Sequence, residues 1–300
     1  MPVVNTPCGV PFDLWWAPDA RAREIRVGAD TLLVLERGTG PAVVMLPGYT
    51  CELVHFRYQL DALAQAGFRA IAVDLPGHGH ASKPKGRYDA ERFIAATLAV
   101  LDRLEIPRAH LVGHSMGGAI ALAMAARHPT RIDRVALLAP YAPGFPLGRE
   151  FSLWVNRIAR IPLLGKLLLR RQTREQFEAS SASAVRDVAE LLARDDGQWR
   201  DYPWTMFNVR GMRDAWAATA RHFTSSWKRA LPALPRLGGR ALILWGEQDR
   251  IVSPAGLAPM AEQVGATPVS LADCGHCPHL EQPDAVNRLL LEHFAATALL

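Results

Sequence analysis

Three short stretches carry residue types able to do covalent chemistry. The first is "LVGHSMGGAIALAMA", in which Gly113, Ser115 and Gly117 fit G-x-S-x-G between an apolar run and a helix-patterned one. A serine on a sharp strand-to-helix turn sits in strained backbone geometry, and its neighbours must be small for the turn to close. The turn lifts the hydroxyl into the open and sets the next amide, that of Met116, at a helix N-terminus where negative charge is favoured. The second stretch, "LILWGEQDRIVSP", offers two carboxylates, Glu247 and Asp249. The third, "LADCGHCPHLEQP", offers His276 and His279, with Cys274 and Cys277 around the first of them. Taken alone, C-G-H-C spells a dithiol redox centre, which requires a helix N-terminus in a thioredoxin-like βαβ context. That context is absent from the pattern, so small apolar packing is the expectation for both thiols. Oxidation of either cysteine that shifts the loop and silences His276 is the sharper alternative, motivated by proximity alone.

Two more stretches, "VVMLPGYT" and "DLPGHGHASKP", complete an ordered set, and together the five resemble the α/β-hydrolase family over nearly the whole chain. The order Ser…Asp…His is the one that fold uses. The resemblance implies that Ser115 attacks a carbonyl carbon to give an acyl-enzyme, that His276 moves the proton, and that Asp249 orients His276. It also implies an oxyanion hole made by the backbone N–H groups of Tyr49 and Met116. Asp249 is preferred to Glu247 because it stands at the matching place before "RIVSP". The preceding core strand, ending "LLAPYAP", has no carboxylate to replace it. His276 is preferred to His279 because it directly follows Gly275 and stands two before Pro278. His78, His80 and His114 are expected to be turn or supporting residues. Two departures from the family pattern stand out. Pro47-Gly48 replaces the common His-Gly of the oxyanion loop, and Ala81 lacks the hydroxyl usual after D-x-x-G-x-G, with Ser82 one place on.

Elements must position these groups. "TLLVLERG", "AVVMLPG", "RAIAVDLPG", "AHLVGHS", "RIDRVALLAP", "RALILWG" and "TPVSLAD" read as strands, alternating with helix-patterned segments such as 89–104. Strands apolar at nearly every position are buried on both faces, so a doubly wound, mostly parallel α/β sheet flanked by helices is expected. The alternation breaks between about 141 and 237, a helix-patterned stretch rich in Trp and Arg, with the Pro-bearing edges "APYAPGFPLG" and "LPALPRLGG". The expected organisation is a core of residues 1–140 and 238–300 with an inserted helical cap at 141–237, over the carboxyl ends of the strands where such sheets bind ligands. Within the cap, "FSLWVNRIARIPLLGKLLLRRQTREQF" is ringed by Arg149, Arg157, Arg160, Lys166, Arg170, Arg171 and Arg174. One reading is a basic amphipathic surface for peripheral contact with anionic lipid. The other is a lid helix whose apolar face lines the pocket while its arginines stay in water. Pro162 and Gly165 interrupt the helix and favour the second.

Composition narrows the classes. At 300 residues, 49% apolar and 21% charged, the chain suits one α/β domain with an insertion. The formal net charge of +5 is mostly arginine, without a basic run interleaved with aromatics, so no nucleic-acid partner is expected. Four scattered cysteines, a start without a basic or apolar leader pattern, and no apolar run near about 18 residues give the expectation of a reduced, cytoplasmic protein without a transmembrane segment. No metal-ligand spacing or phosphate-binding glycine loop is present, so neither metal nor cofactor is expected. The functional expectation is a serine hydrolase cleaving a carboxylic ester of a hydrophobic small molecule. C–C bond hydrolase, perhydrolase, thioesterase and lactonase chemistry stay open, as does a non-catalytic ligand receptor of the same fold. Oligomeric state is not legible.

Overall fold

Eight strands assemble into a single sheet in the computed structural model, which describes residues 3–14, 16–161, 163–195, 197 and 199–295. They are β1 (Arg21–Val27), β2 (Asp30–Arg37), β3 (Ala42–Leu46), β4 (Arg69–Val73), β5 (Ala109–His114), β6 (Ile132–Leu138), β7 (Ala241–Gly246) and β8 (Pro268–Leu271). Their order across the sheet is β8-β7-β6-β5-β3-β4-β2-β1. From β4 to β8 every pairing is parallel, while β2 runs antiparallel to β4 and β1 antiparallel to β2. The fold is thus a mostly parallel α/β sheet with helices on both faces. The pleat sends alternate residues to opposite faces. In β3, Val44 and Leu46 enter one apolar cluster, and Val43 and Met45 the other.

Helices α1 (Arg57–Gln65) and α12 (Pro283–Ala295) cover one face, supplying Leu60, Leu63, Val286 and Leu290 to its core. Helices α2 (Ala90–Arg103), α3 (Met116–Arg127) and α10 (Leu257–Val264) cover the other with Phe93, Ile120 and Met260. The chain turns back at β3, sending β4 to one side of it and β5 to the other. Loops that leave the carboxyl ends of β3 and β5 therefore flank a crevice, the place where open α/β sheets bind ligands.

Between β6 and β7 the chain forms α4 (Arg149–Leu153), which continues into a π turn at Trp154–Ile158, then α5 (Leu164–Arg171), α6 (Arg174–Ala182), α7 (Val188–Ala193), α8 (Tyr202–Phe207) and α9 (Met212–Ala230). The short α11 (Pro278–Glu281) precedes α12. Pro162 lies outside the described residues; the π turn ends at Ile158, and α5 starts after Leu163.

Two features differ from the sequence-based expectation. Residues 21–27, which the sequence reading did not count among the strands, form an antiparallel edge strand, with Ile25 and Val27 turned toward the core and Glu24 and Arg26 toward water. A small ribbon, Val3–Val4 with Phe12–Asp13, precedes it. In the Leu-rich segment the arginines stay outside, as the lid reading expects, but only part of the apolar side chains turns inward. Phe151, Val155 and Ala159 pack inward, whereas Leu153, Ile161, Leu163, Leu167 and Leu168 are exposed. Among the described residues, no helix is long and apolar enough to cross a membrane.

Candidate active site

Ser115 is the first residue after β5 and the cap of α3, with φ 51° and ψ −114°. A non-glycine residue at positive φ is uncommon, and it persists only when its surroundings over-determine it. Here they do. Ser115 N donates to Leu138 O at 3.0 Å, and Ser115 O accepts from Gly118 N at 2.9 Å and Tyr141 N at 3.0 Å. A Cβ at Gly117 would stand 1.9 Å from Leu46 O, and one at Gly113 would stand 2.4 Å from Gly117 O. Both glycines are fixed by close backbone approach, which is the steric reason for G-x-S-x-G.

The loop after β3 lies against this turn. A Cβ on Gly48 would be 3.0 Å from His114 Nδ1 and 3.1 Å from Ser115 Cβ. The next residue is Tyr49. Among the described residues, neither the Tyr49 N–H nor the Met116 N–H has a protein acceptor. Two backbone donors without partners thus lie next to Ser115: Met116 follows it in the chain, and Tyr49 follows Gly48, which packs against it. The Tyr49 side chain reaches up into the helical segment, where its hydroxyl donates to Trp216 O at 3.0 Å. Its ring lies among Phe151, Trp216 and Phe223, with centroids 6.0, 6.4 and 6.0 Å away. Burial raises the Tyr49 hydroxyl well above the ordinary tyrosine range. Where the helical segment meets Tyr49, its surroundings are aromatic and uncharged, and they are the roof of the site.

Asp249 and His276 meet on the loops that follow β7 and β8. His276 Nδ1 lies 2.7 Å from Asp249 Oδ2, and the Asp249 side chain is fully buried. Asp249 Oδ1 accepts from Ile251 N at 2.8 Å and Val252 N at 3.0 Å, and Oδ2 also accepts from Trp245 Nε1 at 3.1 Å. A carboxylate only accepts, so this set fixes the proton of His276 on Nδ1 and leaves Nε2 free to take another. His114 joins the histidine loop to the serine turn. Its Nε2 donates to His276 O at 2.8 Å, and the two rings are 4.7 Å apart. Burial, with His279 and His276 nearby, holds His114 well below the usual histidine range and therefore neutral. Among the described residues, no hydrogen bond joins Ser115 Oγ to the His276 ring. Such contacts are often long without substrate.

Glu281, which sequence alone marks only as a motif position, holds the histidine loop. Its Oε2 accepts from Gly275 N at 2.9 Å and Arg186 N at 2.7 Å, and its Oε1 from Cys277 N at 3.0 Å. His276 N in turn donates to Ala184 O at 2.8 Å. Residues 184–186, between α6 and α7, are stitched directly to the histidine. Nothing local in the sequence signals this, because the partners are far apart along the chain.

The rival candidates lie elsewhere. Glu247 accepts from Ser270 Oγ at 3.0 Å on an exposed edge. His279 is fully buried and stacked on Phe56 with centroids 4.9 Å apart, and burial drives it well below the ordinary range. His78 is buried against Tyr49 and Phe93, and burial lowers it to about 4. Asp74 accepts from Leu53 N and His80 N, each at 2.7 Å, bracing the turn that begins with it. Ser82 pairs with Thr31, which gives the displaced hydroxyl a turn-closing contact. Cys274 and Cys277 are free and buried, and burial raises both thiols above the ordinary range. That is the opposite of what a reactive thiolate requires.

A family model described as alpha/beta hydrolase fold matches residues 41–283. The dihydrolipoyllysine-residue acetyltransferase component of the acetoin cleaving system of Cupriavidus necator is 30% identical over 264 residues, 85% of this chain and 64% of that protein. This chain thus spans less than two thirds of that relative's length. The 2-hydroxy-6-oxononadienedioate/2-hydroxy-6-oxononatrienedioate hydrolase of Escherichia coli K12 is 27% identical over 274 residues, 89% of this chain and 88% of that one. Among solved structures, the 2-hydroxy-6-oxo-6-phenylhexa-2,4-dienoate hydrolase of Rhodococcus sp. strain RHA1 superposes with a TM-score of 0.76 at 24% identity. The superposition covers 92% of this chain and 99% of that one.

Proposed function

The chain belongs to the α/β-hydrolase fold family, and from that premise we propose that it is a serine hydrolase cleaving the carboxylic ester of a hydrophobic small molecule through an acyl-enzyme. The observation that carries this reading is the strained Ser115 turn, which has two unpartnered backbone donors next to it, beside an imidazole seated 2.7 Å from a buried carboxylate. In the proposed mechanism, Ser115 Oγ attacks the carbonyl carbon as His276 Nε2 takes the hydroxyl proton. Asp249 holds the ring and stabilises its charged form. The N–H groups of Tyr49 and Met116 receive the oxyanion, each such donor contributing roughly 3 kcal/mol to the transition state. His276 then returns the proton to the leaving alcohol, and water attacks the acyl-enzyme by the same route in reverse. Residues 141–237 serve as the cap.

The substrate class follows from the roof. Tyr49 and Phe151, half-buried and packed on the buried Trp216 and Phe223, are aromatic and carry no charge. That suits an uncharged acyl or aryl ester better than a dicarboxylate such as the one in the Escherichia coli relative's name. A panel of chromogenic esters, with a thioester, a lactone and a ring-cleavage dienoate beside them, tests the reading. Ester turnover should be fastest, and Ser115→Ala should abolish it, by about 10³-fold or more. Protein that cleaves none of the esters and is not labelled by a serine-directed phosphonate would refute it.

A further inference from the structure

The hairpin made by α4, its π turn and α5 presents a surface that the site does not use. Leu153, Ile161, Leu163, Leu167 and Leu168 are all exposed on it. Leu164 N donates to Ile161 O at 3.2 Å and Leu167 N to Leu163 O at 2.8 Å. Leu163, the most exposed of them at 73%, has φ 68°, a left-handed conformation unfavourable for any residue with a Cβ. The fold therefore holds a large apolar side chain in water on a strained backbone.

Charge surrounds the tip. Residues 149–174 hold seven arginines and lysines and one acid, Glu150, a net charge of +6 against +5 for the whole chain. The rest of the protein is therefore close to neutral. Lys166 and Arg170 share Asp214 of α9, at 2.9 and 3.3 Å. Among the described residues, Arg149, Arg157, Arg160 and Arg171 form no ion pair. The opposite side of the hairpin packs Phe151 against Tyr49 and Phe223.

Apolar tips ringed by unpaired guanidinium groups complement a plane of negative charge lying over hydrocarbon. A second copy of the chain would bring cations against cations. We propose that the 149–171 hairpin docks the protein on an anionic lipid surface, with Ile161, Leu163 and Leu167 entering the acyl boundary and Arg157, Arg160 and Arg171 meeting the headgroups.

Co-sedimentation of the full chain with phosphatidylcholine vesicles, with and without phosphatidylglycerol, tests this. Binding to the anionic vesicles should exceed binding to the neutral ones by about tenfold or more and should weaken as salt is added. The triple variants Ile161→Asp/Leu163→Asp/Leu167→Asp and Arg157→Glu/Arg160→Glu/Arg171→Glu should each lose about tenfold or more of that binding while keeping the parent's circular dichroism. Equal binding to both vesicle types, no binding, or variants that bind like the parent overturn the proposal. So does sedimentation equilibrium in which the apolar variant dissolves a dimer that never binds vesicles. The docking measurement does not depend on the ester reading. A protein that binds vesicles and cleaves no ester removes that reading and leaves this one standing.

Discussion

Glu52 sits three residues beyond Tyr49 with its carboxyl buried, and one of its oxygens has no hydrogen-bond partner among the described residues. Burial, reinforced by the nearby Asp74 carboxylate, raises its pKa to about 8 from an ordinary 4.5. The folded protein therefore keeps a proton that the unfolded chain has released. Between about pH 4.5 and pH 8 each rise in pH favours the unfolded state, and above about pH 8 the effect levels off. Glu52→Gln removes this dependence. The variant should match the parent near pH 5 and exceed its stability by up to a few kcal/mol near pH 8. Denaturant unfolding at the two pH values measures the gap, and a gap that does not grow with pH would contradict the assignment.

The loops at the carboxyl ends of the strands act as elements only because something ties them together. The Glu281 carboxylate receives three backbone N–H groups, two from the histidine loop and one from Arg186 in the helical segment. A neutral amide has one accepting oxygen and turns an NH₂ group toward the other donors. Glu281→Gln should therefore lower stability by about 1–3 kcal/mol. On the proposed function, it should cut kcat by roughly tenfold with KM nearly unchanged, because the imidazole loses its seat while the aromatic roof stays in place. Steady-state ester kinetics measure this split, and a change confined to KM would remove the positioning role. At this scale the sequence was uneven. The βα alternation and the elbow were legible because they rest on local patterns. The β1 edge strand was missed because four of its seven residues are charged and Arg23 takes a half-buried position, so no alternating apolar run marks it.

Across the whole molecule the helical segment and the sheet share one interior. Val155, Phe223 and Trp227 belong to the same apolar cluster as Val44, Ile120 and Ile243. Polar ties add to it: Arg57 of α1 bonds Asp195 at 2.6 Å, Tyr58 OH donates to Asp195 at 2.8 Å, and Gly148 N donates to Ile251 O at 2.8 Å. Heat should therefore unfold the protein in one transition, with calorimetric and van't Hoff enthalpies in agreement. Two resolved transitions would mean that the helical segment melts on its own.

Chemistry confined to a few neighbouring residues was fixed by sequence. Between an apolar strand and a helix-patterned run, G-x-S-x-G points to a tight strand-to-helix turn, because glycine is what the backbone approaches at Gly113 and Gly117 admit. Contacts between distant segments were decided by tertiary structure alone. His114 on the backbone of His276, Ala184 on the amide of His276, and Tyr49 under Trp216 each join residues with no shared local pattern. The direction of the Leu-rich hairpin belongs with them. Its composition allowed either face to turn inward, and the packing of Phe151 and Val155 on the sheet's core put the leucines and arginines outside.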